Sequence, residues 1–342
     1  MLNYLKTWLF AAAAFCLTGY SVAETHGAEH QAASAQQASA SQAASKAPSR
    51  EEKSIIWRIR KYNQPTSYLV GTVHIGKQGS TLPADFQYVL KQSRQLVLET
   101  QIADEEYAKA HPEEVVKMLQ MMVHNKSLNE TLGGKTTMIV RRIFRESAIP
   151  EFADLMGNPS SQYSLAPWAI WFHLGYTGTP PDYSTDYGVE SLLLKQARTR
   201  KLPVLGLEDI EPLEMMRTIP DDVAVRNIEY LIVRQDQMKQ EQLELFQAYE
   251  RRDGDKLEEL ASDEESVTLV DPRDHELMKR LNQQILGQRN RNWMPKLQQY
   301  LARKPTLVAV GAAHLFGKDG LVALLRERGY TVEPFVMGNV GE

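Results

Sequence analysis

Six short runs of aliphatic and β-branched residues punctuate the chain: SIIWRIR at 54–60, SYLVGTV at 67–73, QLVLE at 95–99, PVLGL at 203–207, TLVAV at 306–310 and a closing stretch at 330–336. Runs of this length and composition, bounded by turn residues, predict strands. The first two are separated by KYNQPT, whose Asn-Gln-Pro is a turn signal, so the domain is expected to open with a hairpin. Between the runs the apolar period lengthens to that of a helix. Residues 105–123 place Val115, Val116, Leu119, Met122 and Val123 on one face, and residues 222–252 do the same through Val225, Ile228, Leu231, Ile232, Leu245 and Phe246. Residues 275–304 carry Leu277, Leu281, Ile285, Trp293 and Leu297, with a kink expected at Pro295. Leu321, Leu324 and Leu325 mark a last helix that stops at Gly329, a suitable C′ glycine. Strands alternating with helices predict an α/β domain: a central mixed, largely buried β-sheet flanked by helices, with a helical insertion at 105–202 as a cap.

The first residues break this rhythm. Residues 1–23 have a lysine, an apolar core too short for an ordinary membrane span, and Ser21-Val22-Ala23 as a cleavage site. That layout is a secretory signal peptide, which predicts a periplasmic or secreted protein with no membrane span once it is cleaved. Residues 24–50 are rich in Ala, Ser and Gln and cannot bury enough surface to offset their ordering entropy, so they read as a tether ahead of one domain at 51–342. Cys16 is the single cysteine, and cleavage after Ala23 removes it. A disulfide framework, a cysteine-based zinc site and a thiol nucleophile are thereby excluded, leaving histidine, carboxylates and water to hold any metal. The net charge is −4 and the charges are mixed along the chain, which argues against nucleic acid or an anionic membrane surface as partner.

Four of the apolar runs deliver a residue able to bind metal or move a proton: His74 after SYLVGTV, Glu99 after QLVL, Glu208 after PVLGL, and His314 after TLVAV-Gly-Ala-Ala. Chance placement of 20 glycines and 8 histidines in 342 residues gives about 0.5 occurrences of G-x-x-H. Gly27–His30 in the tether is one such occurrence, so the tetrapeptide alone carries little. The strand before each of Gly71–His74 and Gly311–His314 carries more, because ligands of open α/β sheets bind beyond the carboxyl ends of the strands. On the 275–304 helix, Arg289 shares the apolar stripe of Leu281, Ile285 and Trp293, where an unpaired guanidinium is costly. It is expected to pair with Glu99, Glu208 or a substrate oxyanion, and the adjacent Asn290 can orient a site group. His111, His124 and His173 are isolated and read as structural. There is no zincin helix, nucleophile elbow or Walker A loop.

GTVHIG, LVLET, DYGVESLLLKQARTRKLPVLGLED, RNRNW and VAVGAAHLFGKDGLVALLRERGYTV, in that order, resemble the successive motifs of the TraB/GumN family, which includes the Tiki membrane proteases. The resemblance runs from Trp57 to Val336. It implies a fold similar to erythromycin esterase and the haem-binding ChaN proteins and, for Tiki-like members, a divalent-metal-dependent peptidase using both G-x-x-H histidines and a glutamate. The carry-over falls on His74, His314 and Glu99, with Glu208, Arg289 and Asn290 at matching positions. Where the family's block carries aspartate this chain has Glu190, with Asp186 nearby. The expected function is a metal-dependent hydrolase acting on a peptide or protein. His74 and His314 would hold a Zn, Mn, Co or Fe ion with Glu99 or Glu208, the free carboxylate would act as base, and Arg289 would stabilise the oxyanion. The rivals are a peptide- or haem-binding protein on the same scaffold and a metal-free hydrolase with histidine as base.

Overall fold

The computed structural model describes residues 53–337 apart from 103, 148, 150, 151 and 158–160; the signal peptide and tether expected at 1–50 lie outside the described residues. Among the described residues, the six runs form one mixed sheet: β1 Ile56–Arg60, β2 Ser67–Thr72, β3 Gln95–Thr100, β4 Val204–Glu208, β5 Thr306–Gly311 and β6 Thr331–Pro334, in the order β6-β1-β2-β5-β3-β4. The opening hairpin is present. β1 and β2 pair antiparallel with Ile56 opposite Val70, and Asn63 takes the left-handed conformation at the turn, which asparagine tolerates better than most residues. β6 adds antiparallel to β1.

The other three pairings, β2 with β5, β5 with β3 and β3 with β4, are all parallel. Parallel strands are covered on both faces, which is why these runs are apolar without interruption. Alternate side chains feed two cores. Leu69, Val97, Leu207, Val308 and Val310 face Trp293, Leu297 and Leu325, while Val70, Leu96, Leu98, Leu307 and Ala309 belong to the larger core on the other face.

Helices fill the connections β3–β4 and β4–β5, so the helical material extends beyond the insertion expected at 105–202. Three long helical expectations are divided. The first splits into Glu105–Ala110 and Pro112–Met121, because Pro112 lacks an N–H and excludes His111 from helical geometry. Its buried stripe is Val115, Met118 and Met121, leaving Val116 and Val123 exposed. The second splits into Asp221–Ile232 and Gln235–Glu250 around exposed Val233, letting the latter helix reach the sheet, where Tyr249 Oη donates to the Gly71 carbonyl at 2.7 Å. The third runs through His275–Gln283, a π-turn at Gln284–Gln288 and Arg289–Arg303, which contains Pro295. The last helix, Leu321–Glu327, precedes Gly329 in the left-handed conformation. No helix among the described residues is long and apolar enough to cross a membrane.

Candidate metal and catalytic centre

Parallel pairing puts the carboxyl ends of β2, β5, β3 and β4 along one sheet edge, and the register levels them. Thr72 stands opposite Gly311, and Thr100 opposite Glu208. The side chains delivered there are His74, His314, Glu99 and Glu208, all buried.

His74 leaves β2 on a segment pressed against residues 183–190. Val189 N–H donates to the Val73 carbonyl at 3.1 Å, and Gly76–Lys77 pairs with Tyr183–Ser184. A Cβ on Gly188 would stand 2.2 Å from the His74 carbonyl oxygen, and one on Gly76 2.1 Å from that of Tyr187, so the two chains approach this closely only as glycines. The contact delivers Glu190, in the first turn of helix Val189–Thr199, to His74. His74 Nδ1–H donates to Glu190 Oε2 at 2.7 Å, and Thr72 Oγ1 donates to Glu190 Oε1 at 2.7 Å.

His314 sits in a 3₁₀ turn, Ala312–Leu315, directly after β5. Its Nδ1–H donates to Asn290 Oδ1 at 2.7 Å, while Asn290 Nδ2 donates to the carbonyls of His314 and Asp319 at 3.1 and 2.8 Å. That fixes Nε2 as the acceptor nitrogen. It lies 3.3 Å from Arg289 Nη1 and 3.8 Å from Glu99 Oε1.

Arg289 ties the two acids together. Its Nη2 donates to Glu99 Oε2 at 2.6 Å and also to Glu208 Oε1, and its Nε donates to the Glu208 oxygens at 3.0 and 3.2 Å. Glu208 Oε2 further accepts from Trp293 Nε1 at 2.8 Å, and Glu99 Oε1 accepts from the Gly311 N–H at 2.7 Å. A model of the TraB/PrgY/gumN family matches residues 55–334, nearly the whole described chain. The chain belongs to the TraB/PrgY/gumN family. Among curated proteins and among solved structures, nothing matches it.

In this TraB/PrgY/gumN protein, one ligand atom from each of His74, Glu99 and Glu190 lies within 4.8 Å of the other two. Oxygen and imidazole donors at that separation fit a divalent cation. Glu190 thus stands in the cluster, whereas His314 approaches it from the Arg289 side. Asp186 is exposed, and its backbone carbonyl accepts from Lys195.

The buried acids are divided between two cationic partners: Glu99 and Glu208 lie on the guanidinium of Arg289, and Glu190 lies on His74. Burial opposes ionisation of Glu99, but His314, Arg289 and His74 outweigh it and draw its pKa down to about 2. Burial in turn drives His314 down to about 3, so at neutral pH it is uncharged and Arg289 is the cation that keeps Glu99 ionised. Burial lifts Glu208 above the ordinary carboxylate value against the opposing pull of Arg289. For His74, burial lowers the pKa and the charge and hydrogen bond of Glu190 raise it further, leaving a net rise.

Thr72 and Trp293 were not singled out in the sequence. Thr72 carried a usable signal, two residues before His74, and Trp293 another, one helical turn beyond Arg289 on the same stripe. The histidines read as structural have local partners: His111 Nδ1 with the Tyr107 carbonyl, His124 Nε2 with Asp221, and His173 Nδ1 with the Ala169 carbonyl.

Proposed function

We propose that this protein is a metal-dependent hydrolase acting on peptide bonds, with His74, Glu99 and Glu190 holding a divalent cation. The observation that carries the reading is the convergence of these three buried donors, His74 and Glu99 from the carboxyl ends of parallel strands and Glu190 from the first turn of the helix Val189–Thr199. The resemblance to Tiki-like peptidases supplies the peptide class. When bound, such an ion acidifies a water molecule and polarises a carbonyl.

The chain's own residues have distinct tasks. Glu190, itself held by the Thr72 hydroxyl, fixes the ring of His74. Asn290 holds the proton of His314 on Nδ1 and so turns the neutral Nε2 toward Arg289 Nη1 and Glu99, which makes His314 a positioning residue for that pair. Glu208, with both oxygens engaged by Arg289 and one also by Trp293, positions the guanidinium instead of serving as a free base. Arg289 keeps Glu99 ionised, and it would stabilise a developing oxyanion by redirecting Nη1, which rests against His314 Nε2 at 3.3 Å. The apolar leader at 1–23 supports placing this chemistry outside the cytoplasm, and a mature N-terminus at Glu24 in an exported fraction checks that.

The test is cleavage of a mixed peptide pool, followed by mass spectrometry, with Zn, Mn, Co or Fe supplied singly to the full chain, His74→Ala and His314→Ala. The expected result is that His74→Ala loses metal and activity together, while His314→Ala keeps metal and loses activity. Equal cleavage by all three proteins overturns the proposal.

A further inference from the structure

Behind the segment that carries His74 lies a cleft of about 210 Å³. One wall is Val73 and Ile75, the neighbours of His74, together with Val189, the neighbour of Glu190; His74 and Glu190 themselves do not line it. A second wall is aromatic. Tyr183 and Phe246 stack at 4.6 Å with their planes 17° apart, and Phe86, Leu192 and Tyr249 add further apolar surface. The cleft is therefore built from the backbone that places the histidine–glutamate pair, yet it is a separate space.

Size and charge define what it takes. An apolar cavity of about 150 Å³ holds one benzene ring, so this one has room for one or two fused rings. Two pairs of charges at its mouth compensate each other, since Arg252 donates to Asp85 at 2.9 Å and Lys77 lies 3.7 Å from Asp182, while Glu250 accepts from the neutral Tyr183 Oη at 3.4 Å and keeps its negative charge. The rim therefore repels an anion, the apolar walls offer no partner to a buried charge of either sign, and they favour a flat ring.

We propose that this cleft is a binding site for a neutral aromatic group of one to two fused rings, distinct from the cluster of His74, Glu99 and Glu190. An occupant touches the chain that positions His74 and Glu190 without touching either side chain.

The probes are indole and naphthalene-1-sulfonate, titrated calorimetrically into the full chain. Thr81 is exposed and lines the cleft, so Thr81→Trp fills it from the solvent side, and Leu192→Phe fills it from the helix Val189–Thr199. The expected result is saturable binding of one indole, weakened by ~10-fold or more in Thr81→Trp at an unchanged melting temperature, and retained in Glu99→Gln. If Thr81→Trp fails to fold, the same loss is expected in Leu192→Phe. Absence of saturable indole binding to the wild type, undiminished binding in the folded filling variant, tighter binding of the sulfonate, or loss of binding in Glu99→Gln overturns the proposal.

Discussion

Arg289 is 2 % exposed and is shared by Glu99 and Glu208. Replacing it with methionine keeps the volume and leaves two buried carboxyl groups without their cation, so Arg289→Met should lose about 3–5 kcal/mol in urea unfolding. Adding Glu208→Gln to that variant should recover part of the loss, because one of the stranded charges is then gone. Thr72→Val removes the hydroxyl that holds Glu190 Oε1 while keeping the shape. The expected cost is about 1–2 kcal/mol of stability, with cation affinity, read by titration, down about 10-fold or more. Most of this centre was legible residue by residue, since strands ending in His74, Glu99, Glu208 and His314 and an arginine on an apolar stripe leave few other places for them to meet. Glu190 was reachable only through the family resemblance. Nothing in its local pattern separates a first-turn glutamate on a surface helix from one pressed against a histidine; that depends on the glycine contact between two distant segments.

Elements were legible wherever a single local force decided them. The six strands follow from apolar runs that both faces of a parallel sheet require, and the hairpin from its turn residues. The breaks inside the long helical stretches followed other rules. Pro112 was visible in the sequence and outweighed the periodicity on either side, whereas the turn at Val233–Arg234 serves the docking of Tyr249 on Gly71, a contact between residues 178 positions apart. The π-turn at Gln284–Gln288 sits immediately before Arg289, and a Cβ on Gly287 within it would lie 3.1 Å from Asp319 Cβ. π-turns often mark functional sites, and Arg289 and Asn290 are the two residues that follow this one. The interlocked glycines give the sharpest prediction at this scale. Gly188→Ala drives a methyl group to 2.2 Å from the His74 carbonyl oxygen, and the two segments must separate. A loss of more than about 2 kcal/mol in urea unfolding is expected, together with loss of cation binding.

At the scale of the whole molecule, stability should depend on pH through a group remote from the strand ends. Glu241 is buried on the helix Gln235–Glu250 and accepts from Gln237 Nε2 at 2.9 Å; burial pushes its pKa up from 4.5 to about 8. Between those values the folded protein keeps a proton that the unfolded chain has released, so stability is fully present below about pH 4.5, falls as pH rises, and levels off above about pH 8. Glu241→Gln removes that slope. In urea unfolding it should gain on the order of 2 kcal/mol over the wild type at pH 8.5, and show a much smaller difference at pH 5. The sheet order that makes one edge out of four separate strands is a property of the entire fold, and the metal proposal rests on it. Calorimetric titration of the metal-stripped full chain with Co(II), alongside His74→Ala and Glu99→Gln shown to be folded, tests this most directly. We predict one saturable site per chain in the wild type and its loss in both variants; no saturable site in the wild type, or the same site in His74→Ala, would contradict the account.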